Sequence, residues 1–265
     1  MTSFAPVDPN LLALADNPNT HTPLGPGDER IVQPRFVLWM GPNTDWNVAQ
    51  RFRFAAPELD EVMAELYGLL RQRDRMRLSW EIGSEATPHG LAELLLDRGL
   101  VWDEPDPLQI GMVLDHEPPR PAGVEVRTVG TIEEYAASET IAYTSFGSGS
   151  PTEAQIAQGF DRYDPNRSRR YLASIDGQDV ATGTASFTPH GVVLNAGSTL
   201  PEWRGRGAYR ALVRARWDDA VAAGTPALVT QAGRMSLPIL ERIGFVAVCE
   251  IRALMDDFQA RAAAP

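Results

Sequence analysis

A single cysteine, Cys249, stands in a chain of 265 residues, so no intramolecular disulfide can form. It lies in the apolar run V-A-V-C-E-I, where a buried, inert thiol is expected rather than a nucleophile. Nothing in that usage calls for an oxidising compartment. No apolar run approaches the ~20 residues that span a bilayer, and no basic segment followed by a hydrophobic stretch opens the chain. A membrane span and a secretory leader are both unexpected. Positive charge is also scarce: 24 basic residues face 35 acidic ones, a net charge of −11. General binding to nucleic acid or anionic membrane relies on clustered basic charge, so neither partner is expected. No spacing typical of metal ligands and no Ser-His-Asp order is present. These absences leave a cytoplasmic protein, without metal, whose partners are small molecules or proteins.

What is present is an ordinary globular content, 43% hydrophobic residues, in a length that suits one large or two ordinary domains. Met1 to Glu29 is rich in Pro, Asn, Gly and Thr and predicts irregular structure with a brief helix at Leu11 to Ala15. Ile31 to Met40 and Trp46 to Phe54 read as strands. Leu59, Val62, Met63, Leu66, Leu69 and Leu70 then make one face of a helix entered at Pro57. Arg77 to Ile82 and Leu108 to Leu114 are strand-like, with a helix at Pro88 to Arg98 between them. Three prolines and a glycine interrupt the pattern at His116 to Val124, as in a linker. Beyond it come a strand at Glu125 to Val129 and helices at Ile132 to Phe146 and Thr152 to Tyr163. A meander follows at Arg170 to Ile175, Val180 to Thr188 and Val192 to Leu200.

The stretch L-P-E-W-R-G-R-G-A-Y-R, Leu200 to Arg210, is unlike the rest of this acidic chain. Pro201 ends the preceding strand, and Gly205 and Gly207 leave backbone free of Cβ atoms. Tyr209, Leu212, Val213, Trp217, Ala220 and Val221 then recur at helical spacing. The first N–H groups of such a helix lack internal partners and carry the positive end of its dipole, which suits a phosphate. Arg204, Arg206 and Arg210 add full charges. The alternative is a plain Gly-Arg turn at a surface helix start. After this helix, Ala227 to Thr230 reads as a buried strand and M-S-L-P-I-L-E-R-I-G-F as a short second helix closing on Gly244 and Phe245.

From Val124 to Asp257 this order resembles the Gcn5-related N-acetyltransferase superfamily. Its pyrophosphate loop, R/Q-x-x-G-x-G/A, is matched by Arg204 and Gly207, with Gly205, Arg206 and Ala208 at free positions. Tyr209 departs from the glycine or alanine of the last position, so its side chain must turn away from the ligand into the core. The resemblance implies acetyl-CoA as co-substrate, its pantetheine paired along the strand ending at Thr199 and Leu200 and its pyrophosphate on Arg204 to Arg210. It also implies direct attack by an acceptor amine.

The first half repeats this order of elements. The spacing from Phe54 to Gly99 differs by one residue from that between Leu200 and Gly244, and L-L-L-D-R-G-L answers I-L-E-R-I-G-F. Where the phosphate loop should stand, however, it has A-A-P-E-L-D-E, which offers carboxylates to a pyrophosphate. The fold class expected is therefore α/β with a mixed sheet, as two tandem acetyltransferase-like domains. A degenerate one spans residues 1–115, a linker 116–124, and the domain carrying the acetyl-CoA site 125–265. The degenerate half is expected to wall the substrate cleft or to form an interface, with a homodimer among the open arrangements.

The proton-transfer groups are poorly marked. Where the family often places a tyrosine acid, four residues before G-F, this chain has Leu240, and the nearest hydroxyl is Ser236, equally readable as a helix N-cap. Asn195 stands where a glutamate base often lies, which leaves the general base unassigned. His190, in a turn beside Gly191, reads as an exposed loop residue. Glu133, Glu134 and Glu139 read as the solvated face of a helix. Two functions follow: an acetyl-CoA-dependent N-acetyltransferase acting on a small or amino-acid-like amine, or a non-catalytic acyl-CoA-binding or interaction module that has lost its chemistry.

Overall fold

The computed structural model describes residues 4–258, which divide into two units. Unit 1 takes the chain up to residue 112 together with 231–239 and the segment from 247; unit 2 takes 113–230 and 240–246.

Unit 1 opens with helix α1 (Pro9–Asp16), capped by the Asp8 carboxylate, which accepts from Asn10 N at 2.8 Å. Strands β1 (Glu29–Val32), β2 (Val37–Met40) and β3 (Asn47–Gln50) form an antiparallel meander. The single strand expected over 31–40 is a hairpin, because Pro34 cannot donate to a ladder and Gln33 N turns back to Phe36 O at 2.9 Å. The second expected strand is short because Arg51 takes a left-handed φ of 55°. Helix α2 (Leu59–Arg71) buries Leu59, Val62, Met63, Leu66 and Leu70 against Phe36, Leu38, Phe52 and Trp80. Phe52 stacks on Trp80 with centroids 5.0 Å apart. Burying such a face contributes about 1.5–3 kcal/mol per large side chain. Strand β4 (Arg77–Ile82) runs parallel to β3, followed by α3 (Leu91–Leu96), the two-residue β5 (Val101–Trp102) and β6 (Leu108–Leu114). Helix α3 is shorter than the sequence suggests, since Gly90 is left-handed at its start.

Unit 2 opens with β7 (Glu125–Thr128) and α4 (Ile132–Phe146). A reciprocal cap starts α4: Glu134 N donates to Thr131 Oγ1 and Thr131 N to the Glu134 carboxylate. Helix α5 (Glu153–Asp161) is started in the same way by Thr152 and Gln155. Strands β8 (Ser168–Ile175), β9 (Gln178–Phe187) and β10 (Val192–Thr199) follow, then α6 (Ala208–Ala222) and β11 (Leu228–Ala232). The sheet order is β7-β8-β9-β10-β11, antiparallel until the parallel pair of β10 and β11. Both α4 and α6 pack on β8, β9 and β10.

After the short helix α7 (Leu237–Ile243), the last strand, β12 (Val246–Asp257), does not stay with the sequence half that precedes it. It lies between β4 and β6 and pairs antiparallel with β4 from Arg252↔Ile82 to Asp257↔Arg77. The contiguous second half expected from residue 125 onward is thus interrupted. The apolar residues Ile251, Ala253 and Leu254 find their burial in unit 1. The chain ends of both expected domains, 1–3 and 259–265, lie outside the described residues. Cys249 is buried on β12, and burial pushes its thiol pKa up, with the neighbouring Asp16 adding to the rise. The burial is as expected. Among the described residues no helix is long and apolar enough to cross a membrane.

Candidate functional site

Strand β10 is held on one side along its whole length and on the other only at its start. Its ladder with β9 runs from Val192↔Phe187 to Thr199↔Ala181, with a register shift between Asn195 and Ser198. Its parallel pairing with β11 stops after Val192↔Leu228 and Val193↔Val229, and Thr230 Oγ1 donates to Leu194 O at 3.1 Å just beyond. Ala196 has a φ of 50°, a conformation that is uncommon for a side-chain-bearing residue and marks a bulge. Val192, Val193 and Leu194 are buried, whereas Asn195, Ala196 and Gly197 are exposed. From the bulge onward the strand therefore shows an open edge toward β11. Such an edge is a row of backbone donors and acceptors ready for another extended chain.

That edge leads into the arginine and glycine turn. Leu200 N is fixed by Val180 O at 2.9 Å, and its side chain packs on the cluster of Val129, Tyr135, Ile141 and Leu172. Pro201–Trp203 makes one 3-10 turn, closed by Trp203 N to Leu200 O at 2.9 Å. Gly205 and Gly207 both take positive φ, 79° and 93°. A Cβ on Gly207 would also come within 3.3 Å of Pro121. Helix α6 starts from Gly207 with no side-chain cap and no acidic residue in its first turn, so its first N–H groups are presented bare. Ala208 is buried beneath. Arg204 Nε donates to Thr199 O at 3.3 Å, and the Arg206 guanidinium lies 4.3 Å from the Trp203 ring centroid. The Arg206 head is also 3.7 Å from the Asp176 carboxylate. Arg204, Arg206 and Arg210 are exposed around the helix start.

Tyr209 turns off the glycine loop, as the sequence required. Its ring lies against the β10 bulge, where a Cβ on Gly197 would be 2.7 Å from Cε2. Burial raises the phenol's pKa and the charge of Arg216 opposes that rise. Thr199, Leu200 and the residues from Arg204 to Arg210 are thus brought together at one end of unit 2.

Ser236 belongs to the 231–239 segment of unit 1. Its hydroxyl donates to Gly233 O at 3.2 Å within its own turn, the reverse of an N-cap, whose side chain accepts from a helix N–H. Leu240 is buried core. His190 is exposed, its backbone N tied to Thr188 Oγ1 at 3.3 Å. The three glutamates of α4 are not simply a solvated face. Glu134 accepts from Gly130 N at 2.8 Å and from Arg127 at 3.0 Å, which together hold its carboxyl below the usual range. Glu139 pairs with Arg170, whose Nη1 also donates to Ser138 Oγ at 3.1 Å, and Glu133 lies on the exposed side.

Sequence reasoning missed the bulge, although Gly197 inside a strand pattern is the signal for one. It also missed Arg216, 1% exposed on the inner face of α6. A cleft of about 290 Å³ beside α6, lined by Arg120, Pro121, Val126, Tyr171 and Asp218 among others, holds charges already matched in pairs. One such pair is Arg120 with Asp218 at 2.6 Å. Among the described residues no group of three or more His, Cys, Asp or Glu side chains could hold a metal ion.

The fold that carries this strand, turn and helix start is shared with a set of solved structures. A GCN5-related N-acetyltransferase from Kribbella flavida superposes with a TM-score of 0.65 at 22% identity, covering 87% of this chain and 90% of that one. A tandem GNAT protein from the clavulanic acid biosynthesis pathway covers 100% of this chain and 90% of its own, with a TM-score of 0.61 and 16% identity. The chain has the tandem Gcn5-related N-acetyltransferase fold. A further structure with this fold, a GCN5-related N-acetyltransferase from Sphaerobacter thermophilus, gives a TM-score of 0.59 at 16% identity, over 86% of this chain and 82% of that one. No protein-family model and no curated protein sequence matches the chain. At these identities the likeness fixes the fold, and the chemistry must be argued from the residues.

Proposed function

We propose that the chain is an acetyl-CoA-dependent N-acetyltransferase that acetylates the amine of a small or amino-acid-like molecule, with unit 2 as the working half. The observation that carries this reading is the continuity of the open β10 edge with the glycine turn at α6. An extended amide-bearing arm fits the backbone edge from Asn195 to Leu200, and a pyrophosphate fits bare N–H groups flanked by Arg204, Arg206 and Arg210. The residues of the turn fit such a group, because Gly205 and Gly207 both hold positive φ and the first turn of α6 carries neither a side-chain cap nor an acidic residue. When bound, acetyl-CoA supplies an activated acetyl thioester. The residues supply position: the strand edge and turn hold the ligand, and backbone N–H groups at the bulge offer donors for charge developing on an oxygen. The acidic surface favours approach of cationic amines.

The second reading, a binding module without turnover, draws on two observations: Leu240 is buried at the position where the resemblance leads one to expect a tyrosine acid, and the bulge bears Asn195 rather than a carboxylate. Thermal midpoints with and without acetyl-CoA, in the wild type and in Gly207→Glu, test the site itself. Thiol release across a panel of primary amines then separates the two readings: turnover supports the enzyme, and binding without turnover supports the module. All 24 basic residues are arginine, so the chain offers no lysine amine as a background acceptor. No thermal shift at millimolar acetyl-CoA would sink the enzyme reading and leave a module that works without this ligand.

A further inference from the structure

The cleft of about 290 Å³ in unit 2 takes nothing from the β10 edge or its bulge. Its apolar surface comes from Pro121, Val124 and Val126 on one side and from Ala211 and Ala215 on the other, two small residues at i and i+4 that leave room along α6. Its charged groups pair with one another, yet each pairing leaves capacity unused. Arg120 Nη2 donates to Asp218 Oδ2 at 2.6 Å and Arg214 Nε to Asp218 Oδ1 at 2.9 Å. Arg214 Nη1 donates to Pro118 O at 3.0 Å and pairs with Glu117. Tyr171 OH and Arg169 Nη1 both donate to the same oxygen of Asp219, Oδ2, at 2.5 and 2.6 Å. Among the described residues, Arg120 Nε and Nη1, Arg214 Nη2 and Asp219 Oδ1 therefore have no hydrogen-bond partner. N–H donors suited to a carboxylate and an oxygen suited to an ammonium line one cleft.

We propose that this cleft is a second small-molecule site, which binds a free amino acid with a small apolar side chain and couples it to the glycine turn. The carboxylate lies on Arg120 and Arg214, the ammonium on Asp219, and the side chain against Pro121, Val124 and Val126. An anion alone would face Asp218 and Asp219, and a cation alone would face the two arginines. A ligand bearing both signs meets no unmatched like charge. The volume falls just under the ~300–1,000 Å³ of ordinary ligand pockets, which suits an occupant of this size. Pro121 and Val124 also back the turn, since a Cβ on Gly207 would lie 3.3 Å from the first and 3.9 Å from the second. An occupant that fixes this shared wall changes the affinity of the turn for its ligand, and by linkage that ligand changes the affinity of the cleft by the same factor. The coupling rests on the acetyl-CoA reading above; the amino-acid site does not.

The test titrates L-valine into the full chain without acetyl-CoA, read by calorimetry and by thermal midpoint. Saturable binding at millimolar L-valine is expected, and none from N-acetyl-L-valine, L-valine methyl ester or inorganic phosphate, each of which lacks one of the two charges. Ala215→Leu, which puts three carbons into the cleft, should abolish L-valine binding and keep the acetyl-CoA shift. Arg120→Gln, at a 65% exposed side chain that the fold does not need, should weaken L-valine binding roughly three- to tenfold and serves if Ala215→Leu fails to fold. No L-valine binding, or equal binding of phosphate or of either blocked form, overturns the site. L-valine binding that survives both variants places the amino acid elsewhere, at an acceptor site for example, and overturns it too. With the site established, an acetyl-CoA Kd that saturating L-valine leaves unchanged overturns the coupling. Absence of any acetyl-CoA shift in the wild type overturns the enzyme reading and the coupling together, while L-valine binding still decides the site.

Discussion

The starts of α2 and α6 are the same structural event with opposite outcomes. In each unit a strand pairs parallel with its neighbour for two residues, at Val48↔Ser79 and Ala49↔Trp80 in unit 1, and then separates. In unit 1 the chain fills the gap itself. Gln50 donates to the Glu81 carboxylate across it, Arg51 N is taken by Asn17 Oδ1 at 2.8 Å, and Thr87 N by Phe52 O at 3.1 Å. Arg53 bridges to Thr87 beyond. At the helix start the Glu58 carboxylate accepts from Ala55 N at 2.6 Å, and Arg35 binds Glu58, Glu61 and Glu65 around it. Unit 2 puts two glycines and three exposed arginines at the equivalent turn. A fold can therefore keep its element order while a few side chains decide whether its cradle is plugged or open.

The most severe way to break the comparison is to plug the open cradle. With ligand at 100 times its Kd, a site on the folded state contributes about 2.7 kcal/mol, roughly 5–10 °C in midpoint for a chain of this size. Gly207→Glu should erase that shift. A side chain at φ 93° also costs on the order of 1–3 kcal/mol, so the ligand-dependent difference is the quantity to read, not the absolute midpoint. The double variant Arg204→Glu, Arg206→Glu, at exposed positions, should reach the same loss without touching the backbone. A shift that survives both would move the ligand away from α6.

Some of this contrast was legible in the sequence and some was not. The α4 span from Ile132 to Phe146 follows from its T-x-x-E cap, and the carboxylates of A-A-P-E-L-D-E announced a cradle closed to anions. The turn from Pro201 to Ala208 was visible because Pro and Gly have backbone consequences of their own. The bulge at Asn195 to Gly197 was marked in V-V-L-N-A-G-S-T by Gly197 alone, a weak signal beside the apolar run that reads as a plain buried strand. The pairing of β12 with β4 was hidden more deeply: local pattern says that V-A-V-C-E-I-R-A-L is a strand and nothing about which strand it joins. Arg216 was missed for a third reason. An arginine in a helix is ordinarily exposed, and only the glycine opposite, Gly183, reveals that this one is buried.

Two smaller changes probe the plugged side. Glu81, half-buried and near Asp103, has its pKa raised by burial to about 7, above the ordinary carboxylate value it would have unfolded. The native state thus holds its proton more tightly, which stabilises the fold below about pH 4.5 and is lost as the pH rises through 7. Glu81→Gln should remove that loss, so from pH 5 to pH 8 the wild type should fall relative to the variant by on the order of 1–3 kcal/mol. Parallel curves would mean that Gln50 alone sets the carboxylate's state. Glu58→Ala should cost about 1 kcal/mol by baring the α2 start, as lost caps do, and should leave the acetyl-CoA shift untouched. An altered shift would show that unit 1 takes part in holding the ligand.

The mildest test asks whether the arginines of the open turn act through contact or through field. Arg206 lies over Trp203 and near an 81% exposed Asp176, contacts that contribute at most about 1 kcal/mol at an exposed site. Arg206→Gln should therefore leave the midpoint of the free protein almost unchanged. It should weaken acetyl-CoA binding roughly two- to fivefold at low salt, since one cation near a pyrophosphate is lost. At 0.5 M salt the Debye length shrinks to about 4 Å, so the gap between wild type and variant should close if the charge works through solvent. Calorimetric Kd values at the two salt concentrations decide it. A gap that persists at high salt would mean that Arg206 leaves Trp203 on binding and donates directly to the phosphate. The open cradle would then tighten around its ligand, where its counterpart in unit 1 is held shut by Glu58.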